Sequence, residues 1–188
     1  MKIVKVALAV ILIALLAIGI YGCGENGGVS FEEASEIVKG LMVSANEINR
    51  IHYGEGISHV EDESDNLYAD AHPSERYKSL EDIEVFTYKI YTQDLARAVL
   101  DRSFGESEEI VDTTPRYIAV KYENQVKLLV KKDIEPFAEI YEYDLNEIEI
   151  LGTSDGVIEA KIKTTTGKYK SFVFKYEENG WRIDTPTY

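Results

Sequence analysis

The stretch LNEIEILGTSDGVIEAKIKTTTGKYKSFVFKYEENGWRID (145–184) decides the fold class of this protein. Apolar and polar residues alternate along its four runs, which is the pattern of strands with one buried face and one exposed face. Turn residues separate the runs at SDG (154–156), TG (166–167) and NG (179–180), and Asp-Gly and Asn-Gly pairs favour tight hairpins. The stretch therefore predicts an antiparallel meander.

The residues before this stretch divide into extended and helical patterns. YIAVKY (117–122) and VKLLVKK (126–132) alternate in the same way, so we expect them to belong to the same meander. Further upstream, Ser30 and Glu33 form a capping box, and apolar residues then recur at three- and four-residue spacings. These apolar positions are Phe31, Ala34, Ile37, Val38, Leu41, Met42, Ala45 and Ile48. They predict a helix of about five turns that ends before Gly54.

Two shorter helices are predicted downstream, one beginning at Ser79 and one after Thr92, each with an inward apolar stripe. An amphipathic helix that has no other partner must cover the apolar face of a sheet. The chain is therefore predicted to be an α+β protein, with N-terminal helices packed on one curved antiparallel meander. We expect residues 30–188 to form a single domain.

Residues 57–78 have the least regular pattern in the body of the chain. They carry many carboxylates and few apolar anchors, so we expect an exposed acidic loop. The whole chain of 188 residues has a net charge of −14, which argues against nucleic acid and against an anionic lipid surface as partners. It favours a cationic partner, although acidity that only keeps an exported domain soluble is the simpler alternative.

The first residues of the chain have the layout of an export signal. Lys2 and Lys5 precede an apolar run over residues 6–20, and Gly22 stands directly before Cys23, the only cysteine. A basic start, an apolar core and a small residue at the cleavage point are the three parts of such a signal.

Residues 20–23 (IYGC) resemble the bacterial lipobox, in which the cysteine thiol receives a diacylglycerol after cleavage. This resemblance implies a signal peptide over residues 1–22, a lipidated Cys23 on the outer face of the cell membrane, and a flexible tether over residues 23–29. An uncleaved anchor and simple secretion are the alternatives. The apolar helix would cover about 25 Å of a roughly 30 Å hydrocarbon core, which favours a signal without excluding a tilted anchor. All three place the body outside the cytoplasm.

No complete catalytic motif appears in the body of the chain. The phosphate-binding patterns GxxxxGK[ST] and GxGxxG are absent, and so are the hydrolase patterns GxSxG and HExxH. Because Cys23 is the only cysteine, the body has no thiol for catalysis or for a metal site. We expect a protein that is not an enzyme and that holds no cofactor.

Three histidines, His52, His59 and His72, lie close together in sequence among carboxylates. Their spacing matches no zinc motif, so we interpret them as incidental residues of a solvated loop rather than as ligands. Asp62 opens a run that mimics a calcium loop, but Leu67 stands where that loop needs glycine. No metal site is predicted.

The chain is rich in aromatic residues, with 13 tyrosines and one tryptophan. Several of the tyrosines fall on predicted strands, where cross-strand packing is the ordinary role of an aromatic ring. The alternative is a surface that stacks on sugars or binds a protein.

Two segments carry a resemblance to a known family. SLEDIEVFTYKIYTQDLARAVL (79–100) and the closing YEENGWRID (176–184) resemble exported Gram-positive proteins of the cystatin-like and NTF2-like type. The nearest such family is the DL-endopeptidase inhibitors, which restrain cell-wall hydrolases of the NlpC/P60 class. The matching features are YT (91–92) just before LA (95–96), and the closing NGW (179–181). The acidic residues 57–78 and the lipid anchor depart from the family.

The resemblance implies an envelope protein that binds another protein, with an NlpC/P60 hydrolase as the candidate partner, and that inhibits it without catalysis. An inhibitor needs a rigid surface that fills a cleft rather than reactive groups. The first candidates for contact with the partner are the exposed acids Glu61, Asp62, Glu63, Asp65 and Asp70. Two alternatives remain: a small-ligand pocket between the first helix and the sheet, and a purely structural lipoprotein.

Overall fold

A computed structural model describes residues 28–104, 115–122, 125–136, 141–178 and 180–188. Within these ranges the chain is an α+β protein with three helices and two antiparallel sheets, which confirms the α+β part of the prediction. The elements in chain order are α1 (Phe31–His52), β1 (Tyr68–Asp70), α2 (Leu80–Ile90), α3 (Gln93–Phe104), β2 (Tyr117–Tyr122), β3 (Gln125–Lys131), β4 (Tyr143–Ser154), β5 (Val157–Thr164), β6 (Tyr169–Glu177) and β7 (Gly180–Ile183).

Among the described residues, the first of two compact units contains residues 28–43 and the chain between 143 and 184. Its sheet has the strand order β4-β5-β6-β7, as the alternating pattern predicts. One face of the sheet is buried: Ile158, Ala160, Ile162, Phe172, Phe174 and Ile183. The β4–β5 hairpin turns at Asp155 and Gly156, both with positive φ, as a tight Asp-Gly turn requires.

Helix α1 begins at the predicted capping box. The Glu33 amide donates to Ser30 Oγ (3.2 Å), and the Ser30 amide donates to Glu33 Oε2 (2.9 Å). These bonds satisfy amides that no helical carbonyl can reach, and they lower the pKa of Glu33. The predicted stripe is inward at Ala34, Val38, Met42, Ala45 and Ile48, whereas Phe31 is exposed.

The second unit contains residues 44–142 and 185–188, and its sheet has the order β1-β3-β2. Helix α2 is capped by Ser79, whose hydroxyl accepts from the Asp82 amide (3.1 Å), as predicted. Helix α3 follows Thr92, also as predicted. Both helices contact β2 and turn apolar residues inward: Ile83, Ile90, Ala96, Val99 and Leu100.

The prediction of one continuous meander is wrong, because the described strands form two separate sheets. The cause is the position of β3, whose two edges are already paired with β1 and β2, so that β4 has no edge of β3 to join. Sequence periodicity reports which face of a strand is buried, and it carries no information about the neighbouring strand.

The prediction that residues 57–78 are a loop throughout is also wrong. Residues 68–70 form β1, which pairs with β3 through Ala69 and Val130, and an isolated bridge joins His59 to Ala71. A strand of three residues is too short to show a period of two, so the sequence does not reveal the alternation of its buried and exposed side chains. The acidic part, residues 61–65, is exposed as expected.

Candidate functional site

The acidic loop, defined here as residues 61–65, begins and ends on the three-stranded sheet of the second unit. The Val60 amide donates to the Asp70 carbonyl (2.8 Å), so the segments on either side of the loop are held together. Beyond β3, the Lys132 amide donates to the Leu67 carbonyl (3.0 Å). The acidic loop is therefore closed at its base by backbone hydrogen bonds.

A single lysine braces the interior of the acidic loop. Lys132 Nζ forms an ion pair with Asp62 and donates to the Ser64 carbonyl (2.8 Å) and hydroxyl (3.1 Å). The Ser64 amide and hydroxyl also donate to Asp62 Oδ1, at 3.2 and 2.9 Å. The bond from Lys132, followed by those from Ser64, lowers the pKa of Asp62. These contacts tie Asp62 and Ser64 to Lys132, which directly follows β3.

The five predicted contact residues separate into two groups. Asp62 pairs with Lys132, and Asp70 pairs with Lys127 at 2.8 Å, so these two carboxylates are partly neutralised. The other three, Glu61, Glu63 and Asp65, are exposed and form no ion pair within the part of the chain that the structure describes. Two exposed apolar side chains flank them: Val60 and Leu67.

A shallow cleft of about 360 Å³ opens beside the acidic loop. Its charged and polar lining includes Arg50, Lys131, Lys132, Glu55, Glu61 and His59. Ile57 and Ile134 add apolar surface, and the cleft lies where α1 and β3 end. One alternative from the sequence was a ligand pocket between the first helix and the predicted meander. All residues that line this cleft belong to the second unit.

Gly56 shapes one wall of this cleft. Its φ is +82°, and an added Cβ would lie 2.8 Å from Ile134 Cδ1 and 3.0 Å from the Tyr117 hydroxyl. The positive φ favours glycine, and a Cβ at this position would also force the Ile134 side chain or the Tyr117 hydroxyl to shift. The Arg50 side chain donates to the Gly56 carbonyl, which ties the turn after α1 back to the helix.

A buried polar network lies at the end of α1. His52 Nε2 is 2.9 Å from Thr87 Oγ1, and His52 Nδ1 is 2.7 Å from Ser103 Oγ. Because the Thr87 hydroxyl donates to the Ile83 carbonyl (2.7 Å), it accepts from Nε2–H, and Ser103 donates to Nδ1. Burial, and then the charge of Arg116, lowers the pKa of His52 to about 3, so its ring is neutral.

The Ser103–His52 distance is that of a nucleophile and its base, but a substrate in solvent has no access to the pair. Ser103, His52 and Thr87 are each fully buried, and both ring nitrogens of His52 are occupied. A reacting group would have to approach the serine from solvent. The histidine therefore acts as a polar bridge that joins α1, α2 and α3.

Arg116 places a buried charge at the end of α1. Its guanidinium donates to the carbonyls of Gly54 (2.7 Å), Glu135 (2.8 Å) and Ile51 (3.2 Å). The last carbonyls of a helix have no helical partner and carry partial negative charge, so a cation is stabilising there. The Tyr117 hydroxyl donates to the Ile51 carbonyl as well (2.8 Å).

The C-terminal residues complete the second unit. Asn49 donates through Nδ2 to the Thr187 carbonyl (3.1 Å), and Asn49 Oδ1 accepts from the hydroxyls of Thr187 (2.9 Å) and Tyr91 (3.0 Å). The Tyr188 ring stacks on Tyr53 with centroids 3.8 Å apart. A buried asparagine is thus satisfied by residues from distant parts of the sequence.

The interpretation of all three histidines as residues of a solvated loop is wrong for His52, which is the fully buried last residue of α1. His59 is half-buried on the bridge to Ala71, and His72 is exposed and bonds Ser74 (2.6 Å). The three histidines therefore have different surroundings.

No local sequence pattern indicates that Arg116, Ser103 or Thr187 is buried and hydrogen-bonded, because their partners lie far away in sequence.

No family model and no curated protein matches this chain. Among the residues that the structure describes, no three His, Cys, Asp or Glu side chains converge as metal ligands would. No helix in the described ranges has the length and apolar character needed to cross a membrane. The predicted signal and Cys23 lie outside those ranges.

Proposed function

We propose that this protein is an exported, lipid-anchored cell-envelope protein that binds another protein through the acidic loop. The proposed partner is a peptidoglycan DL-endopeptidase of the NlpC/P60 class, which the binding inhibits. The observation that carries the proposal is the braced acidic loop, with Glu61, Glu63 and Asp65 exposed and without an internal ion pair among the described residues. The resemblance of residues 79–100 and 176–184 to DL-endopeptidase inhibitors supplies the candidate partner.

The rigidity of the acidic loop supports a binding role. A loop that must be ordered on binding loses conformational entropy, whereas one already restrained by Lys132, Ser64 and the strand β1 loses less. Carboxylates without an internal partner remain available to an incoming cation. Val60 and Leu67 add apolar area beside them, as the centre of an interface requires. The matching partner surface is cationic with apolar residues between its charges.

A non-enzymatic role agrees with the surroundings of the reactive side chains. Of the two close serine–histidine contacts found among the described residues, His52–Ser103 is sealed inside the second unit, and His72–Ser74 joins two exposed residues only two positions apart in sequence. A protein that acts by filling a partner's cleft needs no reactive group of its own.

The test is a binding measurement with the full-length chain in detergent against a panel of NlpC/P60 domains. A loop variant carries Glu61→Gln, Glu63→Gln and Asp65→Asn. A matched control carries Glu149→Gln, Glu159→Gln and Asp155→Asn, which removes the same charge from exposed positions of the first unit. We expect the loop variant to lose about tenfold or more in affinity, because each exposed charge pair contributes up to about 1 kcal/mol.

The control should bind as the unmodified chain does, and rising salt should weaken the unmodified chain more than the loop variant. An equal loss of affinity in both variants would mean that the net charge of the protein, and not the acidic loop, determines binding. Absence of binding across the whole panel would remove the hydrolase as the partner.

A further inference from the structure

We propose that the cleft beside the acidic loop binds a small zwitterion, namely an α-amino acid or a short peptide with free amino and carboxyl ends. The lining of the cleft carries both signs of charge, with cations at Arg50, Lys131 and Lys132 and carboxylates at Glu55 and Glu61. A purely anionic ligand would be repelled by the carboxylates, and a purely cationic ligand by the lysines. A zwitterion satisfies both.

The cationic side of the cleft has one uncommitted charge. Lys132 uses its three donors on Asp62 and on the two oxygens of Ser64. Lys131, by contrast, is half-buried and has no ion pair with any residue in the described ranges. A half-buried ammonium is screened less by solvent than an exposed one, so a carboxylate beside it gains more.

Arg50 adds donors on the same side. Its guanidinium donates through Nη1 to the Gly56 carbonyl, and Nη2 lies 3.9 Å from Glu75 Oε2, which is beyond hydrogen-bond distance. The remaining N–H groups of the guanidinium can therefore donate hydrogen bonds to a ligand carboxylate. Lys131 and Arg50 together form the proposed carboxylate end of the site.

The ammonium end is formed by Glu55 and Glu61. Both are exposed, and neither has an ion pair within the part of the chain described. Ser58 and His59 lie on the same lining and offer further polar groups. Ile57 and Ile134 supply apolar surface for a short aliphatic side chain, and about 360 Å³ is within the range of small-ligand sites.

The test uses three probes that differ only in their charged ends: dialanine, N-acetyl-dialanine and dialanine amide. Amide resonances of the full-length chain in detergent are followed by NMR during titration with each probe. We expect dialanine to shift the amides of Gly56, Ile57, Ser58 and His59 in a saturable manner. Each capped probe should bind about fivefold or more weakly, because it lacks one charge pair.

Two variants assign the ends of the site. Lys131→Gln should weaken dialanine about fivefold and leave dialanine amide unchanged, whereas Glu61→Gln should weaken dialanine and leave N-acetyl-dialanine unchanged. Lys127→Gln and Glu63→Gln are the matched controls, since neither residue lines the cleft. Equal affinity for all three probes, or no saturable shift with dialanine, would overturn the proposal. Because Glu63 belongs to the acidic loop and not to the cleft, failure here leaves partner binding through the loop standing.

Discussion

The neutral histidine at the end of α1 predicts a specific dependence of stability on pH. In the folded protein the pKa of His52 is lowered from 6.5 to about 3, so the unfolded chain binds the proton more tightly. Stability therefore falls as the pH falls through the unfolded pKa, and continues to fall until the folded pKa is reached. Between pH 7 and pH 4.5 the histidine alone should lower the free energy of unfolding by about 2.5 kcal/mol.

The measurement is urea unfolding followed by far-UV circular dichroism at several pH values, because the single tryptophan, Trp181, lies in the first unit. His52→Gln should lose about 1–3 kcal/mol at pH 7, since it disturbs the bonds to Ser103 and Thr87. It should also flatten the profile between pH 7 and pH 5. His72→Gln, at an exposed position, should keep the original slope.

The interval above pH 5 isolates the histidine from the carboxylates. Glu33, Asp62 and Glu75 have lowered pKa values, and their contributions to stability are lost as the pH falls below about 5. If His52→Gln keeps the slope of the unmodified chain in this interval, the neutral buried histidine is not its source and the reasoning fails.

Three further predictions concern the elements that hold the candidate site. Gly56→Ala should lower the free energy of unfolding by about 2 kcal/mol or more, and Gly167→Ala, with similar φ but open space around it, by only about 1 kcal/mol. Equal losses in urea unfolding would show that the Ile134 contact is unimportant. Arg116→Leu should cost about 3 kcal/mol in the same assay, because it leaves buried carbonyls without donors; a loss below about 1 kcal/mol would contradict the capping role. Ser79→Ala should cost about 1 kcal/mol through loss of the α2 cap, while an exposed serine such as Ser171 should tolerate alanine.

The parts of the fold that sequence could predict are those whose causes are local. The capping boxes at Ser30 and Ser79 and the turn at 155–156 depend on residues within four positions of one another, and all three are present. The alternation along β5 likewise places Ile158 inward. Side-chain period and capping chemistry are sufficient for such features.

The remaining features depend on long-range partners that no local pattern reports. The division into two sheets follows from β1 occupying an edge of β3, and β1 has only three residues. Arg116 is buried because the carbonyls at the end of α1 surround it, and nothing in its own neighbours indicates this. From sequence, Asp62 and Asp70 are predicted to contact the partner protein, but no local pattern reveals that each forms an ion pair with a lysine of the same chain.

The central claim is that the exposed carboxylates of the acidic loop inhibit a cell-wall endopeptidase by binding it. The most direct measurement is a titration of purified NlpC/P60 hydrolase activity on peptidoglycan peptides with the full-length chain and with the Glu61→Gln, Glu63→Gln, Asp65→Asn variant. The account predicts that the unmodified chain abolishes activity at stoichiometric amounts and that the variant requires about tenfold more protein. Full hydrolase activity at every concentration of the unmodified chain, or identical titrations for both proteins, would contradict it.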